Sequence, residues 1–163
     1  MSIFTTAREF PATPDAVFAA LLDPQRLARW WGPAGFRNTF DTCEVKAGGA
    51  WRFTMHGPDG ANYPNVATFV VVEPPQRLVI QHENAPRFRL TITLSPVGAG
   101  TRIVWEQGLE DAAVAAAVRD TDGFPFDAVL ASHVLPVDAG SPLLRDDYEA
   151  FLAWRQERLW QEI

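Results

Sequence analysis

The chain holds a single cysteine, Cys43, with only two methionines and three histidines in 163 residues. One cysteine excludes an internal disulfide and any multi-cysteine metal site. His56, His82 and His133 fall on different segments, and no two of them have metal-ligand spacing, so neither a metal nor another cofactor is expected. No apolar run approaches the roughly 18 residues that a membrane span needs, and no membrane contact is expected. The opening residues, Met1 to Arg8, lack a basic segment followed by an apolar one, which argues against a secretory signal and for a cytoplasmic protein. Phosphate-cradling loops are missing too. Gly57-Pro58-Asp59-Gly60 and Gly98-Ala99-Gly100 read as turns, because neither opens a helix behind a strand. There is no basic stripe: residues 1–108 carry a net charge of +1 and residues 109–163 a net −7, within an overall −6. Nucleic acid is therefore not an expected partner, and the acidic third reads as a solvated helical surface.

What is present suits one domain over residues 1–163, long enough to bury a core without staples. Hydrophobic residues at 47% and charged residues at 21% are ordinary for a globular chain. Six tryptophans stand out, two of them adjacent as Trp30-Trp31. Such a doublet buries a large apolar area while each N–H still seeks a partner. It reads as a core anchor, a pocket wall or a contact surface.

Residues 2–10 alternate as a strand that Pro11 ends. Thr13 caps a helix with Pro14 at its first position, and Val17, Phe18, Leu21 and Leu22 recur on one helical face. Asp23-Pro24 breaks that helix; Leu27, Trp30 and Trp31 continue a second short one, stopped by Gly32-Pro33. From residue 39 the period becomes two. Trp51, Phe53 and Met55 share one face and Arg52, Thr54 and His56 the other, between Gly48-Gly49 and Gly57–Gly60 as turns. A β-branched strand over 66–73 follows, then Leu78, Ile80 and His82, then Phe88 to Leu94, then Ile103, Trp105 and Gln107. Six strands with short Gly/Pro turns make an antiparallel meander. The last third reads as irregular helix, with a second cap-and-proline signal at Ser141-Pro142 opening a helix to Ile163.

Five stretches carry a resemblance: Pro11 to Phe18, Arg29-Trp30-Trp31-Gly32-Pro33, Gly48 to Phe53, Met55 to Gly60, and Glu73-Pro74-Pro75-Gln76-Arg77-Leu78-Val79. In this order they resemble the START-like SRPBCC superfamily, in the branch named for the activator of a heat-shock chaperone's ATPase, over residues 5–108. The resemblance implies an α+β helix-grip fold of the birch-pollen-allergen type. A curved antiparallel sheet wraps a long C-terminal helix, in the order β-α-α-β-β-β-β-β-β-α. Members of the family close with a helix soon after the last strand, bearing a Gly-Trp signature that is absent here. Ser141–Ile163 is taken as a diverged grip helix, with residues 109–140 as an atypical insertion.

The fold implies a cavity between sheet and terminal helix, and a small hydrophobic or amphipathic ligand as its occupant. Its expected lining is Trp31, Phe36, Trp51, Phe53, Phe69, His82, Phe88 and Trp105. Arg52, Arg87 and Arg89 either set polarity at the entrance or are ordinary surface charges. A protein-interaction role, through a chaperone contact or a homodimer, is the first alternative, with the stress-response role that the family name implies. A polyketide cyclase/dehydratase-like enzyme using the same cavity is the second. No catalytic residue is assigned. Asp41, Glu83 and Glu106 are carboxylates on strands, but Glu83 and Glu106 are out of phase with the apolar faces and should point outward. His56 is expected at the surface beside its turn, and Cys43 reads as a small core residue. Ser132, His133 and Asp127 are placed too awkwardly along one helix to form a triad.

Overall fold

Two cap-and-proline pairs set the start of the chain. The Thr13 hydroxyl accepts from the Ala16 amide at 3.3 Å and opens α1 (Pro14–Leu22); the Asp23 carboxylate accepts from the Gln25 amide at 2.9 Å and opens α2 (Pro24–Trp30). Each cap satisfies a donor that the first turn leaves orphaned, and each proline sits where its missing N–H is not needed. The computed structural model describes residues 2–31, 37–57, 60–84, 87–113 and 159–160. Around the two helices lie β1 (Ser2–Phe10), β2 (Arg37–Cys43), β3 (Gly49–His56), β4 (Asn62–Glu73), β5 (Arg77–His82), β6 (Phe88–Val97) and β7 (Gly100–Leu109).

The seven strands form one antiparallel sheet in the order β1-β7-β6-β5-β4-β3-β2. The chain meanders from β2 to β7 and its last strand then pairs with the first, with Ser2 opposite Leu109 and Phe10 opposite Thr101. Strict alternation selects one face for the core: Trp51, Phe53 and Met55 of β3, and Phe88, Leu90, Ile92 and Leu94 of β6, are all buried. On that face α1 packs against β6 and β7, and α2 against β2. The architecture is the expected curved α+β helix-grip sheet.

β4 differs from its sequence reading. It begins at Asn62, four residues before the β-branched run, and contains Pro64. Proline is tolerated there because β5 ends at His82, opposite Ala67. Pro64 therefore faces no ladder partner from β5, and its carbonyl accepts instead from the Asn84 amide at 3.1 Å.

Ala112 and Ala113 are helical after β7, the Asp111 carboxylate accepting from the Ala113 amide at 2.9 Å. Leu159 and Trp160 are helical as well. Leu159 is fully buried in the core cluster, and the Trp160 ring stacks on Phe10 at 5.4 Å and 9°. The remainder of the expected insertion and grip helix lies outside the described residues, as does the Asp127, Ser132 and His133 trio.

Candidate functional site

The core face of the sheet is most aromatic over β2, β3 and β4. Trp51 stacks on Phe53 at 4.3 Å and on Phe69 at 5.3 Å; Phe40 meets it edge-on at 5.4 Å. Trp31, at the end of α2, completes the group edge-on to Trp51 at 4.9 Å and to Phe53 at 6.5 Å. Edge-to-face and offset stacks are the favoured arrangements for such rings, adding about 0.5–1.5 kcal/mol per pair beyond the area buried.

Strand register carries a row across the sheet from this group: Trp51 opposite Ala67, Ala67 opposite His82, His82 opposite Phe88, Phe88 opposite Leu109. Ala67 thus puts a methyl group between an indole and an imidazole on strands about 10 Å apart. The His82 ring lies parallel to Phe88, 4.7 Å away and 2° from coplanar. Its Nε2 donates to the Asn65 carboxamide oxygen at 3.1 Å, while the Asn65 amide donates to the Tyr63 carbonyl at 2.7 Å. Both side chains are buried, so this hydrogen-bonded pair is a fixed polar feature within an apolar wall.

Of the eight residues expected to line a cavity, Trp31, Trp51, Phe53 and Phe69 form one contact group. His82 and Phe88 form a stacked pair beside it, and Trp105 sits on β7 edge-on to Trp30 at 6.1 Å. All seven are buried on the core face. Phe36 lies outside the described residues. The tryptophan doublet divides its work. Trp30 Nε1 donates to the Ala20 carbonyl at 3.1 Å and so ties α2 to α1, while Trp31 joins the aromatic wall.

Two members of the wall were not anticipated. Phe40 lies before a β-bulge between Phe40 and Thr42, which disturbs the alternation that would have flagged it. Asn65 was hidden because Pro64 disguised the start of β4. An open groove of about 340 Å³ at the far end of the sheet, lined by Glu9, Phe10, Pro11, Val97, Gly100 and Thr101, contains none of the expected residues.

Arg52, Arg87 and Arg89, read as either entrance groups or ordinary surface charges, are all exposed. Arg87 Nε donates to Glu110 at 3.0 Å and its guanidinium lies 3.5 Å from Glu83. The Gln81 amide donates to the other Glu110 oxygen at 3.1 Å, and Arg89 donates to the Gln81 oxygen at 3.0 Å. The Arg87 hydrogen bond, helped by Gln81, holds the Glu110 carboxyl below the usual glutamate range. A carboxylate depressed in the folded state contributes stability above its unfolded pKa and loses it as pH falls through the folded value. Comparing urea midpoints of wild type and Glu110→Gln should show a gap that is constant at neutral pH and closes in acid. A gap independent of pH would refute the role of the charge.

His56 is half-buried, contrary to expectation, because both ring nitrogens are engaged. Its Nδ1 donates to the Asn62 oxygen at 2.7 Å, and Nε2 lies 2.7 Å from the Thr39 hydroxyl. Glu106 and Asp41 are exposed, as their phase required for the former, and they do not converge on the core face. Among the described residues, no three His, Cys, Asp or Glu side chains are placed to hold a metal ion, and no helix is long and apolar enough to cross a membrane.

Cys43 packs against the core, and burial pushes its thiol up to about 11. Only the thiolate is nucleophilic, so alkylation by iodoacetamide at pH 8 should run about 100-fold slower than for an unperturbed thiol. The rate should climb with pH until about 11. Mass-spectrometric time courses with and without urea check this; equal rates in both would contradict it.

Comparison with known proteins bears on this architecture. A protein from Nitrosomonas europaea of known structure superposes with a TM-score of 0.70 at 18% identity, covering 98% of this chain and 95% of its own. One from Staphylococcus epidermidis gives 0.71 at 14% identity, covering 98% and 88%. A third, from Rhodobacter sphaeroides, is 28% identical with a TM-score of 0.64, over 72% of this chain and 78% of its own. No curated protein matches the chain. The family model described as Activator of Hsp90 ATPase homolog 1-like protein matches residues 11–126. With the two capped helices, the seven-stranded sheet and that match together, the chain belongs to the Activator of Hsp90 ATPase homolog 1-like family, a START-like branch of the SRPBCC superfamily.

Proposed function

We propose that the protein binds a small hydrophobic or amphipathic molecule against the core face of its sheet, in the cytoplasm. The observation that carries this is the buried His82–Asn65 pair set into a wall of aromatic rings. Binding sites for small molecules are mostly apolar, with few polar groups at fixed positions to orient the occupant. A core built only for packing gains nothing from a buried imidazole and carboxamide, which cost desolvation and return little net stability once bonded.

The test uses the tryptophans already in the wall. An apolar ligand should quench Trp31 and Trp51 emission and raise the melting temperature progressively with concentration, since binding to the folded state alone stabilises it by RT ln(1 + [L]/Kd). A panel of lipids, polyketides and other apolar probes that changes neither signal would overturn the reading.

A further inference from the structure

We infer that the ligand of this face carries a neutral hydrogen-bond acceptor, a carbonyl oxygen, which the indole N–H of Trp51 receives. The inference rests on the ligand-binding reading above and deepens it. Trp51 is completely shielded from solvent, yet its Nε1 has no hydrogen-bond partner among the described residues. A buried donor left unpaired costs about 1–3 kcal/mol, and buried indole N–H groups usually find an acceptor. Trp30 in the same core shows the ordinary solution, a bond to the Ala20 carbonyl.

Packing does not explain the choice of residue. Phe40, Phe53 and Phe69 surround Trp51 and show that a plain ring suffices for stacking here. What tryptophan adds is its N–H. Asn65, opposite Phe53 on β4, does not serve it: its oxygen accepts from His82 and its amide is a donor, bonded to the Tyr63 carbonyl. The acceptor therefore comes from outside the wall.

The surroundings also fix its charge. Among the described residues, the rings in contact with Trp51 are Trp31, Phe40, Phe53 and Phe69, and none of them carries a charge. A carboxylate brought there would lose its hydration with no counter-charge, at a cost far above what one N–H returns. A ketone or ester oxygen accepts the bond without that cost. The ligand class is an apolar molecule bearing a neutral carbonyl, in preference to a hydrocarbon or a fatty acid anion.

Three shape-matched probes test this on the full chain: 2-acetylnaphthalene, 2-isopropenylnaphthalene, in which a methylene replaces the oxygen, and 2-naphthoate. The ketone should bind about 2- to 12-fold tighter than the alkene, the range expected for one net hydrogen bond, and the anion should bind most weakly. In Trp51→Phe the ketone and alkene should bind alike. Independently of that variant, the wild-type Trp51 indole ¹H–¹⁵N resonance, assigned through its contacts with Phe53 and Phe69, should move downfield with the ketone and not with the alkene. Equal binding of ketone and alkene with an unmoved resonance would overturn the carbonyl inference and leave the binding site standing. If none of the three binds, and the wider apolar panel is silent too, the site and the inference fall together.

Discussion

Replacing Trp51 by alanine is expected to lower the free energy of unfolding by about 3–5 kcal/mol, the range for truncating a fully buried Trp or Phe. For a chain of this size that is about 6–20 °C in Tm. The reason is position as much as size. The indole is stacked on Phe53 and Phe69 and meets Trp31 and Phe40 edge-on, so its loss removes one side from four aromatic contacts. The strands and the close of α2 fix the backbones around it, which limits how far the void can collapse. Trp51→Phe keeps a ring in the stack and should lose much less. Urea unfolding of the two variants gives the comparison directly. A loss below about 1 kcal/mol for the alanine variant would show that the wall is not what anchors β3 to α2.

Gly49→Ala should be comparably severe for a different reason. A Cβ at Gly49 would collide with the Glu44 carbonyl oxygen and come within 2.9 Å of the Lys46 carbonyl oxygen, both backbone atoms. These carbonyls cannot swing aside as a side chain would. Lys46 already accepts from the Gly49 amide at 2.8 Å, and the Glu44 amide donates to Ala50 at 2.9 Å. Relief requires moving the turn that starts β3 and carries Trp51 and Phe53. We expect a loss of about 3 kcal/mol, at the upper end of overpacking costs. The neighbouring Gly48 makes the control. It has φ +79°, which alanine adopts with strain, but open space around its Cβ position. Gly48→Ala should cost only about 1–2 kcal/mol. Thermal melts of the two variants should rank in that order, and the reverse ranking would mean that the turn yields more easily than its bonds suggest.

Much of the fold was legible because each local signal agreed with the global arrangement. Thr13-Pro14 and Asp23-Pro24 each pair a cap with the one residue that needs no N–H. Trp51, Phe53 and Met55 keep period two between glycine turns. The same phase placed His82, Phe88 and Trp105 on the core face before any neighbour was known. Legibility failed where a residue's fate depends on a strand from elsewhere. Phe40 sits beside a bulge, Asn65 behind a proline that β5 ends too early to contest, and both have period signals that are locally broken. Gln81 is out of phase with Ile80 and His82 and pairs with the exposed Arg89. It is buried because Arg89 and the Phe88 carbonyl from β6 and Glu110 from the β7 exit converge on it. Helical phase could not separate Trp30 from Trp31 either. That distinction came from the Ala20 carbonyl and the Trp51 ring, ten and twenty residues away.

The doublet has an optical consequence. From β3 to β7 the indoles of Trp51, Trp31, Trp30 and Trp105 follow one another at 4.9, 5.5 and 6.1 Å between ring centres. Transition dipoles that close exchange excitation energy faster than they emit, so the four chromophores behave as one antenna rather than as independent lamps. An event at one end of the string alters light emitted from the other. Near-ultraviolet circular dichroism should carry the signature of their coupling, and replacing Trp31 should cut the string, leaving only the Trp30–Trp105 pair coupled.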